Sequence, residues 1–442
     1  MKKNEYINTV LEQVRCKSVH EPLKQELEAH IDDQAEAFVQ VGLPVSEAEE
    51  EAVKTMGDAV ETGILLDSEH RPRFPLSAAI IALLLMLAGL TARLLIRDSF
   101  EYFNERSSYA VWSIPIALIV MTACYFLDYT IFVKFPKIAY IVFFCILVVT
   151  AHLRYFYMVL PFYVYSTQIR FFFFGALLLA PFTCGFVWSM RGKGFGMFAL
   201  TCILMTVPAM FCALRIPCMS AAVLIGISAL AIMTFAVKND FFRVKKSTAY
   251  LFMYIPAGIA ALGLLIIKFE LPQYIHARVS KNILFGFTAY YEPFYTVRLL
   301  LNGTRLFGES SAPIYELPAP NSDHLIAAVI MRFGLAAGIA MSLALLSLPV
   351  IVLFKTKKIK NVFGRMVSFS IGIVFLFETA SYILANFGVT TLIESVIVPP
   401  FMTASLSNSI FSAALLGIFM SAYRTKDIFP ERKIKPAPLS HS

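Results

Sequence analysis

Charge is scarce in this 442-residue chain: Asp, Glu, Lys and Arg together make up 15% of it. Only two tryptophans occur. Of the seven cysteines, Cys124, Cys145, Cys184, Cys202, Cys212 and Cys218 lie in apolar runs and Cys16 in an acidic segment, which argues against both a disulfide framework and a thiolate metal site. There is no phosphate-binding G-x-x-x-x-G-K-[ST] loop, no G-x-G-x-x-G after a strand, no H-E-x-x-H and no C-x-x-C, so ATP coupling within the chain is not expected. No apolar stretch precedes Leu76, and no cleaved signal peptide is expected.

What is present is hydrophobic length. The hydrophobic fraction is 58%, the mean hydropathy +0.69, and apolar runs of about 20 residues recur, each enough to cross ~30 Å of hydrocarbon. The class is all-α: a polytopic membrane protein of about ten helices, predicted near 76–96, 109–129, 138–158, 168–189, 195–214, 217–237, 249–267, 325–354, 366–386 and 403–423. Loop charge orients them, because Lys and Arg are retained on the cytoplasmic side of short loops. Alternate loops hold Lys134 and Lys137; Arg191 and Lys193; Lys238, Arg243, Lys245 and Lys246; and Lys355 to Arg365. The loops between them hold few basic residues. Both termini are therefore predicted to be cytoplasmic. Topology and anionic lipid account for the basic surplus, and nucleic-acid binding is not indicated.

The net charge of +8 conceals two regions. Residues 1–70 carry 6 basic and 16 acidic side chains, against 32 and 14 in the remainder. The leader reads as a small helical domain in the cytosol. A first helix is predicted over Glu5 to Arg15 and a second from Pro22, with Leu23, Leu27, Ile31, Ala35 and Phe38 at three-to-four spacing. A third is predicted to start at Ser46 in a capping box with Glu49 and to stop at Gly57, with a turn from Ala59 to Leu66. Whether it is only a solvated bundle or also a docking module is open at this stage.

The other polar interval runs from about Lys268 to Ser322, and the charge pattern places it on the outer face. Loops on a rigid scaffold are where sites tend to lie. The carboxylates to weigh are Glu292, in TAYYEPFY, and Asp323, which opens the next apolar helix and can also cap it. Glu270, Glu309 and Glu316 read as solvated loop residues. Arg278, Lys281, Arg298 and Arg305 lie in the same interval, while Arg154, Arg170 and His152 lie near the predicted outer ends of spans three and four, as interfacial anchors or anion contacts. Glu378 falls inside the ninth span, where an ionisable group faces the bundle interior or a polar pathway.

Several of these segments resemble the SEDS family (shape, elongation, division and sporulation), the FtsW/RodA/SpoVE group. LFGES and ELPAPNSDHLIAAVIMRFG, Glu316 to Gly334, resemble its glycine-rich stretch and its L-P-x-x-x-T-D-F segment, with Leu317, Pro318, Ser322 and Asp323 on the motif. Leu214 to Leu230 resembles its Q-P-D-L-S/G-T-A stretch through Pro217, Ser220 and Ala222, and Val398 to Ile418 its P-x-P-F-I-S-Y-G-G-S segment. The leader resembles a permease prefix domain. The resemblance implies a bacterial plasma-membrane protein that polymerises lipid II into peptidoglycan glycan strands, beside a transpeptidase (penicillin-binding protein) partner, in division, elongation or sporulation.

In that chemistry a carboxylate deprotonates the acceptor sugar hydroxyl, and a cation or a divalent metal (Mg or Mn) steadies the leaving pyrophosphate. Counting back without gaps from Gly308 puts the family's base at Phe287 and Thr288, so Glu292 matches only with a register shift. Cys218 stands for the Asp of P-D-L, Met331 and Arg332 for a common acidic pair, and Thr403 to Leu406 lack the paired glycines. Three readings therefore stand side by side. They are a glycosyltransferase with Glu292 or Asp323 as its carboxylate, a flippase or transporter using Glu378, Asp128 or Arg93, and a non-catalytic scaffold for cell-wall partners.

Overall fold

The computed structural model describes residues 2–17, 20–70, 73–96, 104–156, 162–214, 219–270, 293–317, 319–320, 322–389, 399–402 and 405–425; within these, side chains at 104–110, 151–156 and 162–175 and at a few other positions fall outside the description. Every regular element among the described residues is helical. The protein is an all-α polytopic membrane protein. Its chain divides into two compact units: Met1–Phe74 with Lys358–Val362 and Tyr423–Lys435, and Pro75–Lys357 with Phe363–Ala422 and Pro436–Ser442.

The first unit is built on α1 (Lys3–Gln13), α2 (His20–Gln40), α3 (Val45–Thr55) and α4 (Ala59–His70). Its core is Tyr6, Ile7, Val10, Leu27, Ile31, Ala52, Val53 and Ala59. The Tyr6 hydroxyl donates to the Met56 carbonyl at 3.1 Å and lies 3.3 Å from Thr62 Oγ1, so the one large aromatic in the core buries no idle polar group. Two local expectations are corrected here. The N-cap of α3 is Pro44, without a side-chain cap, and Ser46 lies one residue inside the helix. The expected turn at Ala59 to Leu66 is helix α4, started by Asp58, whose Oδ1 accepts the amides of Val60 and Glu61, both at 2.9 Å. Asp at an N-cap satisfies donors that have no partner within the helix, which is why Gly57 ends one helix and Asp58 starts another.

The second unit contains α5 (Leu76–Ile96), α6 (Asn104–Phe126), α7 (Ile131–Lys134), α8 (Pro136–Phe156), α9 (Phe162–Ser189), α10 (Gly194–Leu214), α11 (Met219–Lys238), α12 (Lys246–Glu270), α13 (Pro293–Leu301), α14 (Leu325–Phe333), α15 (Leu335–Thr356), α16 (Val362–Asn386) and α17 (Leu406–Arg424). Among the described residues six helices are long and apolar enough to cross a membrane: Leu76–Ile96, Gly194–Cys212, Ser220–Lys238, Leu335–Thr356, Val362–Asn386 and Leu406–Arg424. Shorter apolar helices are Val111–Phe126, Pro136–Ile146 and Ala176–Ser189. Prolines sit inside α6, α9, α10, α12 and α15, a pattern that membrane helices tolerate because neighbouring groups re-satisfy the freed carbonyls.

Helix α16 has neighbours on several sides. Gly372 lets Leu353 and Val352 of α15 approach closely, and Gly364 does the same for Tyr129. Cys184 of α9 lies 3.4 Å from Ser370, and Phe235 of α11 packs on Phe369 with ring centroids 5.8 Å apart. Small residues at such crossings let membrane helices gain packing energy that lipid cannot supply.

The expected single span over 325–354 is also corrected, since it is two helices. Gly334 separates them at φ +96° and ψ 169°, a conformation that side chains other than glycine rarely adopt. The nine residues of α14 rise about 14 Å at 1.5 Å each, half of a bilayer core. Leu325 to Met331 are all buried, as a helix that is apolar all round requires. The span proper is α15, Leu335–Thr356.

Candidate functional site

The break at Gly334 is held by the LNGTRLFGES loop. Leu335 and Ala336, the first residues of α15, donate their amides to the carbonyls of Arg305 (2.9 Å) and Leu306 (3.1 Å), while Gly308 and Ser310 donate to Phe333 (3.2 Å) and Met331 (2.7 Å). A Cβ on Gly334 would fall 2.6 Å from the Leu306 carbonyl oxygen, so this close approach needs glycine. Glu309 forms an ion pair with Arg332 at the rim of the same junction. Glu309 is thus a solvent-exposed loop residue that is also paired.

The next turn positions Asp323. Ala319 adopts φ +44°, and its carbonyl accepts the amides of Ser322, Asp323 and His324 at 3.0–3.2 Å. Asp323 is 7% exposed and His324 1%. The amino end of α14 then takes its caps from another helix. Leu325 donates its amide to the Tyr382 hydroxyl at 3.2 Å, and that hydroxyl donates to the Ser322 carbonyl at 3.3 Å. Asn386 Oδ1 accepts the Ala327 amide at 3.1 Å, while its Nδ2 donates to the carbonyls of Asp323 (3.1 Å) and Tyr382 (3.0 Å). Two side chains of α16 thereby fix the backbone on both sides of the Asp323 carboxylate.

Glu378, Tyr382 and Asn386 lie at i, i+4 and i+8, on one face of α16, and none is solvent-exposed. Both carboxyl oxygens of Glu378 lack a hydrogen-bond partner among the described residues. Arg93 of α5 approaches the same region. Its Nη2 donates to the Met402 carbonyl at 3.1 Å, and α5 packs against α14, the helix that follows Asp323. Met402 follows Phe401, whose φ is +64°, and Phe401 packs on Phe375 of α16. Asn408 Nδ2 holds the Pro399 carbonyl at 2.8 Å, tying this second turn to α17. The candidate site is therefore a buried cluster of Asp323, His324, Tyr382, Asn386 and Arg93 between two constrained turns.

The fold has a solved counterpart. A chain of a peptidoglycan synthase complex, described as showing structural coordination of polymerization and crosslinking, matches with a TM-score of 0.57, covering 80% of this chain and 98% of that one at 12% identity. At that identity the likeness is one of fold. No family model matches the sequence, and no curated protein matches it.

Of the residues predicted from sequence, Asp323 and Arg93 are in the cluster. Arg298, on α13, is exposed; its backbone lies close to Gly388, where a Cβ would come within 2.8 Å of Arg298 Cβ. Arg305 is exposed and contributes only its carbonyl to the junction. Neither arginine joins the buried cluster. Glu292, Arg278 and Lys281 lie outside the described residues, as do the side chains of His152, Arg154 and Arg170. Asp128 is exposed in a turn, where its carboxylate accepts the amide and the hydroxyl of Thr130. Among the described residues no three His, Cys, Asp or Glu side chains converge as metal ligands. Sequence reasoning missed Tyr382 and Asn386. The available signal was polar side chains at four-residue spacing inside an apolar span, which points to a buried face.

Proposed function

We propose that this chain is a SEDS-type protein of peptidoglycan synthesis in the bacterial plasma membrane, polymerising lipid II on the outer face, with Asp323 as its working carboxylate. The observation that carries the reading is the shared fold: 98% of a chain from a peptidoglycan synthase complex is covered by 80% of this one. The segment that resembles the family's L-P-x-x-x-T-D-F motif also supports it, because it holds a buried, backbone-fixed carboxylate. In this reading the acceptor sugar oxygen bonds to C1 of the donor sugar, and its proton passes to Asp323. The bond from C1 to the pyrophosphate breaks, its electron pair leaving with the pyrophosphate. A fixed base of this kind contributes about 10²–10⁴-fold to rate.

The test is incubation of purified full-length protein with labelled lipid II. Glycan strands should form without a partner transferase and fall at least about 100-fold in Asp323→Asn. Polymer formed equally well by Asp323→Asn removes Asp323 as the base and turns attention to Glu292. Absence of polymer from the parent protein, together with a co-purifying transpeptidase, would replace the polymerase with a scaffold.

A further inference from the structure

Arg93 is 4% exposed, three residues from the carboxyl end of an apolar span. It forms no ion pair among the described residues, and of its guanidinium nitrogens only Nη2 is engaged, while Nε and Nη1 have no hydrogen-bond partner there. An arginine in hydrocarbon costs about 2.5–3.5 kcal/mol on insertion scales, and a buried charge is normally paired. A strut to one carbonyl needs neither a permanent charge nor a planar fork. Asn or Gln would make the same contact without the charge. Nη2 keeps a second N–H beyond its bond to Met402, so it can still complete a two-bond fork on phosphate oxygens with either Nε or Nη1, both of which are unspent. The hydrogen-bond partner of Arg93, the Met402 carbonyl, carries no formal charge to offset it.

We propose that Arg93 is an intramembrane site for the phosphate or pyrophosphate head of a lipid. That the lipid is a polyprenyl pyrophosphate carrier rests on the proposed function; that the ligand is a lipid-borne phosphate does not. Entry to the site requires the 399–402 turn to shift, since Met402 caps the guanidinium and also packs against Gly89 one turn below it on α5. The left-handed backbone at Phe401 is a sparsely populated conformation for a side chain of that size, and such positions are held only by their surroundings.

The experiment uses the full-length protein in detergent, with undecaprenyl pyrophosphate, inorganic pyrophosphate and phosphatidylglycerol as separate probes, read by thermal unfolding and by native mass spectrometry. Undecaprenyl pyrophosphate should raise the unfolding temperature of the parent, Arg93→Gln should bind it at least tenfold more weakly, and Arg93→Lys should fall between them. Arg93→Met without ligand should be at least as stable as the parent, since an unneutralised buried charge has been removed. Equal binding by parent and Arg93→Gln overturns the site. So does marked destabilisation of unliganded Arg93→Met, which would make the arginine a structural strut. Arg93-dependent binding of phosphatidylglycerol alone upholds the phosphate site and overturns the carrier as its source. Arg93-dependent carrier binding in a protein that forms no polymer upholds the site while overturning the polymerase reading.

Discussion

The two units solve the burial problem in opposite directions. In the first unit the apolar stripes of α1, α2 and α3 turn inward and most acidic side chains outward, though Asp67 is buried. In the second, large apolar side chains such as Leu84, Ile119, Ile259 and Leu343 are exposed, while Ser368, Glu378, Thr379, Asn386, Asn408 and Ser412 are buried completely. Burying a polar group is costly unless it is hydrogen-bonded, but facing it to lipid costs more, so a membrane bundle collects its polar groups inside. The interior of the second unit is thus where polarity concentrates, and with it the candidate chemistry.

The largest test of this contrast is in the first unit. Tyr6→Ala should cost the first unit about 3–5 kcal/mol, the range for removing a buried aromatic, seen as loss of its helical signal on thermal unfolding while the membrane helices persist. The reciprocal test is Asn386→Leu, which would be a gain if apolar burial governed the second unit. Loss of three hydrogen bonds around the Asp323 turn should instead destabilise by roughly 3 kcal/mol, measured by denaturant titration in micelles. Gly334→Ala forces a Cβ against the Leu306 carbonyl in a positive-φ conformation and should cost about 2 kcal/mol, with increased proteolysis in the 301–310 loop as its local readout. The smallest effect belongs to the exposed pair: Glu309→Gln should change stability by less than about 1 kcal/mol, and less still in high salt. A large loss there would mean the rim is far less solvated than its exposure indicates.

Elements with a strong local signal were legible. The helices of the second unit fall where the apolar runs are, because span length is set by the bilayer and read directly from composition. Helix α4 was missed because its sequence, AVETGILLDSEH, spaces its apolar residues poorly, leaving Val60, Ile64 and Leu65 exposed. The division between α14 and α15 was missed because hydropathy runs through Gly334 without a dip, and only the carbonyls of Arg305 and Leu306 show why the helix must stop there. Asp323 could be named from its place after Asn321 and Ser322, but its setting could not. Tyr382 and Asn386 lie about sixty residues further along, and Arg93 more than two hundred residues before it.

By itself the sequence determined the all-helical membrane class and where most of the apolar helices lie, since these follow from composition and periodicity. Tertiary structure alone decided which polar side chains meet. A buried hydrogen bond or an unpaired guanidinium depends on which helices become neighbours, and helices of similar hydropathy carry no record of their neighbours in their own residues.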